Sequence, residues 1–434
     1  MLLALYLVVC AFSFGLVNLG PLFSIESPWG SFNGNDALLL TLLVASVPCY
    51  LAQRRKTEMV WLRRMESVWM LFIVLLAVQS FRSPADSLTE RLVHVRFVQG
   101  YLLFFPSIAV LTSGERVRRI AIAGMSFAIV GTVLTVLQSL HGLDNLFDSP
   151  YYSIGAWPGN KMMVGDIARV NLPISNWVAF VLLVLLPLSL LRFRPWQLAL
   201  GSFLFLTILL NFARSLWLGM GAAFLTELLL LIWTRALRPG AAIRLLLVPL
   251  GGLAVLAAAP YVGLEGLSQA LLERLNEGVL FYSTDSGTWR DRLYVAAAAM
   301  QLWESNPVWG VGTAYNLVFG TWIDLGPPMV LVSIGVVGLA IEVFLFAVCV
   351  SAGITALRQG LARGSLMLML IGVALPAEVV LMLVYQQWLT PDCFAILGLA
   401  SALAVTGHSI IRAAESTTAA SLMSPSCYVS HRAR

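Results

Sequence analysis

The sequence predicts an all-α polytopic integral membrane protein with about twelve transmembrane helices. Two observations carry this. The 434 residues are 59% hydrophobic and only 11% charged, against about 25% charged in a soluble domain. Apolar runs of about 20 residues, the length that crosses a hydrocarbon core, recur from end to end. Inside lipid the backbone must satisfy its own polar groups, so each run is read as a helix.

The predicted helices lie near 2–20, 37–52, 67–81, 98–113, 120–139, 174–191, 197–212, 215–233, 245–263, 329–351, 366–385 and 393–411. The first has no basic segment before it and no A-x-A cleavage site, so it is read as a retained span. The seventh and eighth are split at Asn211–Ser215. The uninterrupted run is too long for one crossing, and Arg214 is costly at mid-bilayer. Cys10, Cys49, Cys349 and Cys393 fall in or beside spans without C-x-x-C spacing, as packing residues do. One membrane domain over 1–413 is expected. Its external loops fall near 140–172 and 264–328, the latter between helices 9 and 10. The Ser-rich segment 414–434 is expected to be a disordered cytoplasmic tail.

Basic residues set the expected orientation. Alternate loops from 54–64 through the C-terminal tail hold 18 Lys and Arg, and the other set holds nine. The positive-inside rule puts the first set and both termini in the cytoplasm. The chain is expected to cross its membrane many times. The cytoplasmic loops are short, and no G-x-x-x-x-G-K-[ST] is present. Chemistry is therefore expected on the outer face, without a bound nucleotide.

Against many external acids, four arginines stand close to the outer membrane surface: Arg169, Arg214, Arg290 and Arg292. A planar guanidinium binds phosphate oxygens in bidentate fashion and keeps its charge. Snorkelling or surface ion pairing is the structural alternative. Arg214 sits in a turn too tight to be only a linker.

The stretch RDRLYVAAAAMQLWESNPVWGVGTAYN resembles the loop helix of the O-antigen ligase and polymerase superfamily of membrane glycosyltransferases. Arg292, Pro307, Gly310 and Gly312 match its arginine, proline and G-x-G turn. LLNFARSLWLGMGAAF resembles the family's Ser-Arg-x-x-Trp-Leu turn, with Arg214 and Trp217 in register. RVNLPISNWVAFVLLVLLPL resembles its arginine-to-asparagine span start, at Arg169 and Asn176. The motifs cover roughly 165–345, and the layout of spans covers the chain.

The resemblance implies metal-independent glycosyl transfer without a cofactor. An undecaprenyl-pyrophosphate-linked glycan is the implied donor, and a glycan or lipid hydroxyl the acceptor. Arg214 and Arg292, then Arg169 and Arg290, would hold the pyrophosphate leaving group. Membrane lipids and polysaccharide-assembly proteins are the other expected partners, and no nucleic acid is.

The chain departs from the pattern at one place. Ligases of this family carry a His-Asn pair before the tenth span, where this sequence reads WIDLGPPMVLVSIGVVG. Counting back from Gly335 and Gly338 puts Asp324 at the histidine position, as in some polymerase-like members. Asp324 is the candidate base, with a turn aspartate as the structural alternative. His141, which opens the other external loop, is a weaker candidate. The missing histidine tilts the expectation toward a polymerase in exopolysaccharide, O-antigen or capsule assembly. A ligase to lipid A-core or protein is the alternative. A flippase for lipid-linked oligosaccharide is a second one, since Glu227, Glu342 and Glu378 lie inside spans where acids are functional candidates. Their structural alternative is a set of bundle-interior acids paired with polar neighbours. The two halves show no self-similarity of the transporter kind.

Overall fold

A computed structural model describes residues 1–13, 24–27, 30–56, 60–82, 98–141, 163–164, 167–168, 174–211, 213–237, 287–313, 326–385 and 389–422, with a few helical positions between 250 and 269. The helices are α1 Leu2–Ser13, α2 Gly34–Lys56, α3 Val60–Phe81, α4 Gln99–Leu102, α5 Phe104–Val110, α6 Gly114–His141, α7 Ile174–Leu191, α8 Pro195–Leu210, α9 Arg214–Trp233, α10 Gly287–Glu304, α11 Gly326–Arg363, α12 Leu366–Tyr385 and α13 Pro391–Leu422. Seven of the described helices are long and apolar enough to cross a membrane, and shorter apolar helices accompany them. The protein is a helical membrane protein. The helical class agrees with the all-α expectation, and two small antiparallel hairpins accompany the helices: β1 Ser24–Ser27 with β2 Gly30–Asn33, and β3 Met163–Val164 with β4 Ile167–Ala168. Helix α13 reaches Leu422. It thus carries through the first part of the segment expected to be disordered, where RAAESTTAASL offers repeated alanine and no Gly or Pro to stop it.

α12 lies at the centre, packed by α11, α9, α13 and α7. Small residues let α11 and α12 approach closely. A Cβ on Gly353 would meet the Pro376 ring 2.6 Å away, and one on Gly360 would meet the Met369 backbone at 2.7 Å. These pairings run in opposite sequence directions, so the two helices are antiparallel. The α7–α8 turn is capped locally. Pro195 opens α8, and the Arg194 amide donates to Gln197 Oε1 at 2.9 Å.

The turns assign the helix ends to two sides of the bundle. One side gathers cations. Arg54 and Arg55 close α2, Arg63 and Arg64 open α3, and Arg116, Arg118 and Arg119 open α6. Arg192 and Arg194 flank the α7–α8 turn, Arg235 follows α9, and Arg363 closes α11. There Arg54 Nε and the Tyr50 hydroxyl both donate to Glu66, at 3.1 and 2.7 Å, tying α2 to α3. Arg358 lies over Trp233, 5.3 Å from its ring centre, tying α11 to α9. The other side holds the ends of α3, α6, α8 and α12 and the starts of α7, α9, α11 and α13.

Candidate functional site

That second side carries the sequence motifs and most of the polar side chains buried between helices. The first feature is a break in α11. Gly335 adopts φ 67 and ψ −171, inside an otherwise helical run. A straight helix would bond the Val336 and Val337 amides to the carbonyls of Val332 and Ser333. Here Val336 and Val337 donate instead to Pro307 and Val308 oxygens, at 3.0 and 3.2 Å. The carbonyls of Val332 and Ser333 accept from Val311 and Gly312, at 2.7 and 3.0 Å. The loop 307–312 is thus spliced into the helix, and each lost helical bond is replaced. Two glycines make this possible. Gly310, at φ 72, and Gly335 face each other so closely that a Cβ on either would strike the other's backbone.

Helix α10 leads into this splice. Ala299 packs on Val332 together with Val295, Leu302 and Trp303. Arg290 and Arg292 lie in its first turns. Past the splice, the Thr313 hydroxyl donates to Ser80 Oγ at 3.0 Å, which fixes the loop to the end of α3.

The second feature is the turn that carries Arg214. Asn211 ends α8 with its amide on the Thr207 oxygen at 3.1 Å, and Arg214 is the first residue of α9. Trp217 closes the turn. Its indole N–H donates to the Ile208 carbonyl, 2.7 Å away, one of the acceptors left over at the end of α8. The tryptophan of the Ser-Arg-x-x-Trp pattern is therefore a clamp, and Arg214 is held half-buried at its corner.

The third feature was not anticipated from sequence. Phe394 sits at the centre of an aromatic cluster, with ring centroids 5.6 Å from Phe72, 4.3 Å from Tyr101 and 5.9 Å from Phe346. A polar layer lies on the side of this cluster nearer the helix ends. Asp392, two residues before Phe394, accepts a 2.6 Å hydrogen bond from the Asn176 amide. The amides of Asp392 and Cys393 also serve its carboxylate. Glu378 lies within electrostatic reach of Asp392, and Tyr101 within reach of both Glu342 and Asp392. Gln79 stands seven residues beyond Phe72 on the same face of α3, about 10 Å nearer the helix ends.

Several of these buried groups have no hydrogen-bond partner among the described residues. They are both amide atoms of Gln79, the Ser175 hydroxyl, Glu378 Oε2 and both oxygens of Glu342. Gln79 and Glu342 are fully buried. The Asn176–Asp392 pair is only half-buried, at the start of α7 and of α13. These groups place donors, acceptors and a carboxylate in one layer of the bundle, which suits a ligand rich in hydroxyls.

The predicted site residues divide as follows. Arg214 and the backbone of Arg290 and Arg292 are on this side, and His141 is the last residue of α6, whose end is here too. Asp324 and Arg169 lie outside the described residues. The expected polar partners of the interior acids differ from what is found. Among the described residues, Glu227 and Glu342 have both oxygens buried without a hydrogen-bond partner, because apolar side chains dominate their helix interfaces. Among the described residues no group of three or more His, Cys, Asp or Glu could hold a metal ion.

Asp392 and Gln79 escaped the sequence reading for a physical reason. Asn176 and Asp392 are 216 residues apart. Asp392 follows Thr390-Pro391 and reads locally as an acid favouring a helix start. No protein-family model matches this chain, and no curated protein does.

Proposed function

We propose that this protein transfers glycans from a polyprenyl pyrophosphate carrier on the outer face of a bacterial inner membrane. The proposed arrangement has twelve spans with both termini in the cytoplasm. One observation carries the reading. Arg214, the loop helix with Arg290 and Arg292, and the polar layer share one side of the bundle, opposite the side that collects cations. By the positive-inside rule the cationic side is cytoplasmic, so the site side faces out.

In this reading the arginines hold the pyrophosphate and stabilise the charge that grows on it as the glycosidic bond breaks. Arg214 and Arg292 lead, and Arg169 and Arg290 assist. The acceptor is a hydroxyl of a second lipid-linked repeat unit, which makes the protein a polymerase of exopolysaccharide, O-antigen or capsule. A ligase passing finished glycan to lipid A-core or protein uses the same machinery with a different acceptor.

The chain-length profile of surface and lipid-linked glycan in a deletion strain tests this. Single repeat units in place of long chains support the polymerase. Long chains stranded on the carrier support the ligase. Normal chains in normal amounts at the surface would sink the proposal.

A flippase is the second reading, favoured by the buried unpartnered carboxyls of Glu227 and Glu342. It requires that Glu227→Gln and Glu342→Gln abolish function while Arg214→Ala does not. Transfer requires the reverse.

A further inference from the structure

We propose that Asp392, oriented by Asn176, is the proton acceptor for the attacking hydroxyl, with Gln79 holding a neighbouring hydroxyl of the same sugar. This rests on the glycosyl-transfer reading and adds the acceptor half of the site.

Among the described acids of the polar layer, Asp392 alone is not sealed between helices. Glu342 and Glu378 are sealed between helices. Asp392 is half-buried, at the first turn of α13, and one of its oxygens is fixed by Asn176 at 2.6 Å. A carboxylate held by Asn176 and by the first amides of α13 has a fixed orientation, which is what a general base needs.

The neighbouring groups point to a hydroxyl-bearing ligand. Gln79 has a donor and an acceptor without a partner among the described residues, in a fully buried position on the face of α3 that carries Phe72 of the aromatic cluster. A primary amide with both functions free matches a sugar hydroxyl, which donates and accepts at once. Ser175, next to Asn176, is a second buried group without a partner among the described residues. Left without a ligand, each such group costs about 1–3 kcal/mol. The aromatic layer beneath, with Tyr101 and Phe394, gives an apolar floor of the kind that sugar rings pack against.

The reaction balances. The acceptor O–H bond breaks, and its proton goes to a carboxylate oxygen of Asp392. The oxygen's electron pair forms the bond to the anomeric carbon of the donor. The bond from that carbon to the pyrophosphate oxygen breaks, and its electron pair leaves on the pyrophosphate, held by the arginines. The carboxyl then returns its proton to water.

The test uses full-length protein in liposomes and the lipid-linked repeat unit extracted from a deletion strain, which serves as both donor and acceptor. Asp392→Asn, nearly the same shape and still able to bond Asn176, should lower kcat by about 100-fold or more. KM should change little, and the fall in rate on the acid side of the wild-type pH profile should disappear. Asn176→Ala keeps the carboxylate and removes only its orientation, so kcat should fall about tenfold with the acid-side fall retained. If Asp392→Asn does not accumulate, this second variant decides the matter. Wild-type kcat in either variant, or full loss in Asp324→Asn with normal turnover in Asp392→Asn, overturns the proposal. Arg214→Ala is run beside them. Transfer that depends on Arg214 but not on Asp392 sinks only the base, whereas no transfer by the wild type sinks the underlying reading.

Discussion

Replacing Gly335 by alanine tests the splice between the loop and α11. At φ 67 and ψ −171 an L-residue occupies a region almost reserved for glycine, at a cost of about 1–3 kcal/mol. The new Cβ would also strike the Val308 carbonyl and the Gly310 amide. Backbone cannot swing aside as a flexible side chain can, so the loop must move and the four splicing bonds must open. Each is worth about 0.5–1.5 kcal/mol net. Together these give a local loss of at least about 3 kcal/mol, or roughly 100-fold faster amide exchange at 1.4 kcal/mol per decade. Hydrogen–deuterium exchange in detergent should show it at Val311, Gly312, Val336 and Val337, the donors of those bonds. Gly221→Ala is the control, since nothing lies within 4 Å of its Cβ position, and it should leave exchange in the splice unchanged. Wild-type protection of these amides in Gly335→Ala would refute the argument.

Four further variants probe the site. Arg214→Lys and Arg292→Lys keep the charge and lose the planar fork, so each should lower transfer by an order of magnitude or more; near-normal turnover would remove bidentate pyrophosphate binding. Trp217→Phe leaves the Ile208 carbonyl without its clamp and should cost about 1–3 kcal/mol in stability, read as a lower unfolding midpoint, with transfer reduced as Arg214 loosens. Gln79→Met fills nearly the same volume without the unpartnered amide. It should raise the unfolding midpoint of the ligand-free protein while raising the acceptor KM, and a lower midpoint would mean the amide has a structural partner.

Much of the frame was legible because lipid allows so few solutions. Hydrophobic length located α7, α9 and α12 to within a residue or so, and the cost of Arg214 at mid-bilayer located the α8–α9 turn. The NPVWGVG stretch read as a turn after a helix, and it is one. Its partner could not be read, because the Gly335 break depends on backbone groups of residues 307–312 that no local pattern announces. The role of Trp217 was visible only as a motif position until its indole was found on Ile208. The Asn176–Asp392 pair and the unused amide of Gln79 were hidden for a similar reason. They depend on which helices meet, and each looked ordinary in its own segment. Partner groups for Glu227 and Glu342 were expected from the cost of buried charge, and the described interfaces do not supply them.

The most direct test of glycosyl transfer is the release of undecaprenyl pyrophosphate by the purified protein in liposomes. The liposomes carry the lipid-linked repeat unit and contain neither nucleotide nor added metal. The account predicts that free carrier pyrophosphate appears in step with longer glycan, and that Arg214→Ala abolishes both. Intact protein that releases no carrier, while lipid-linked repeat units cross the bilayer in its presence, would contradict it.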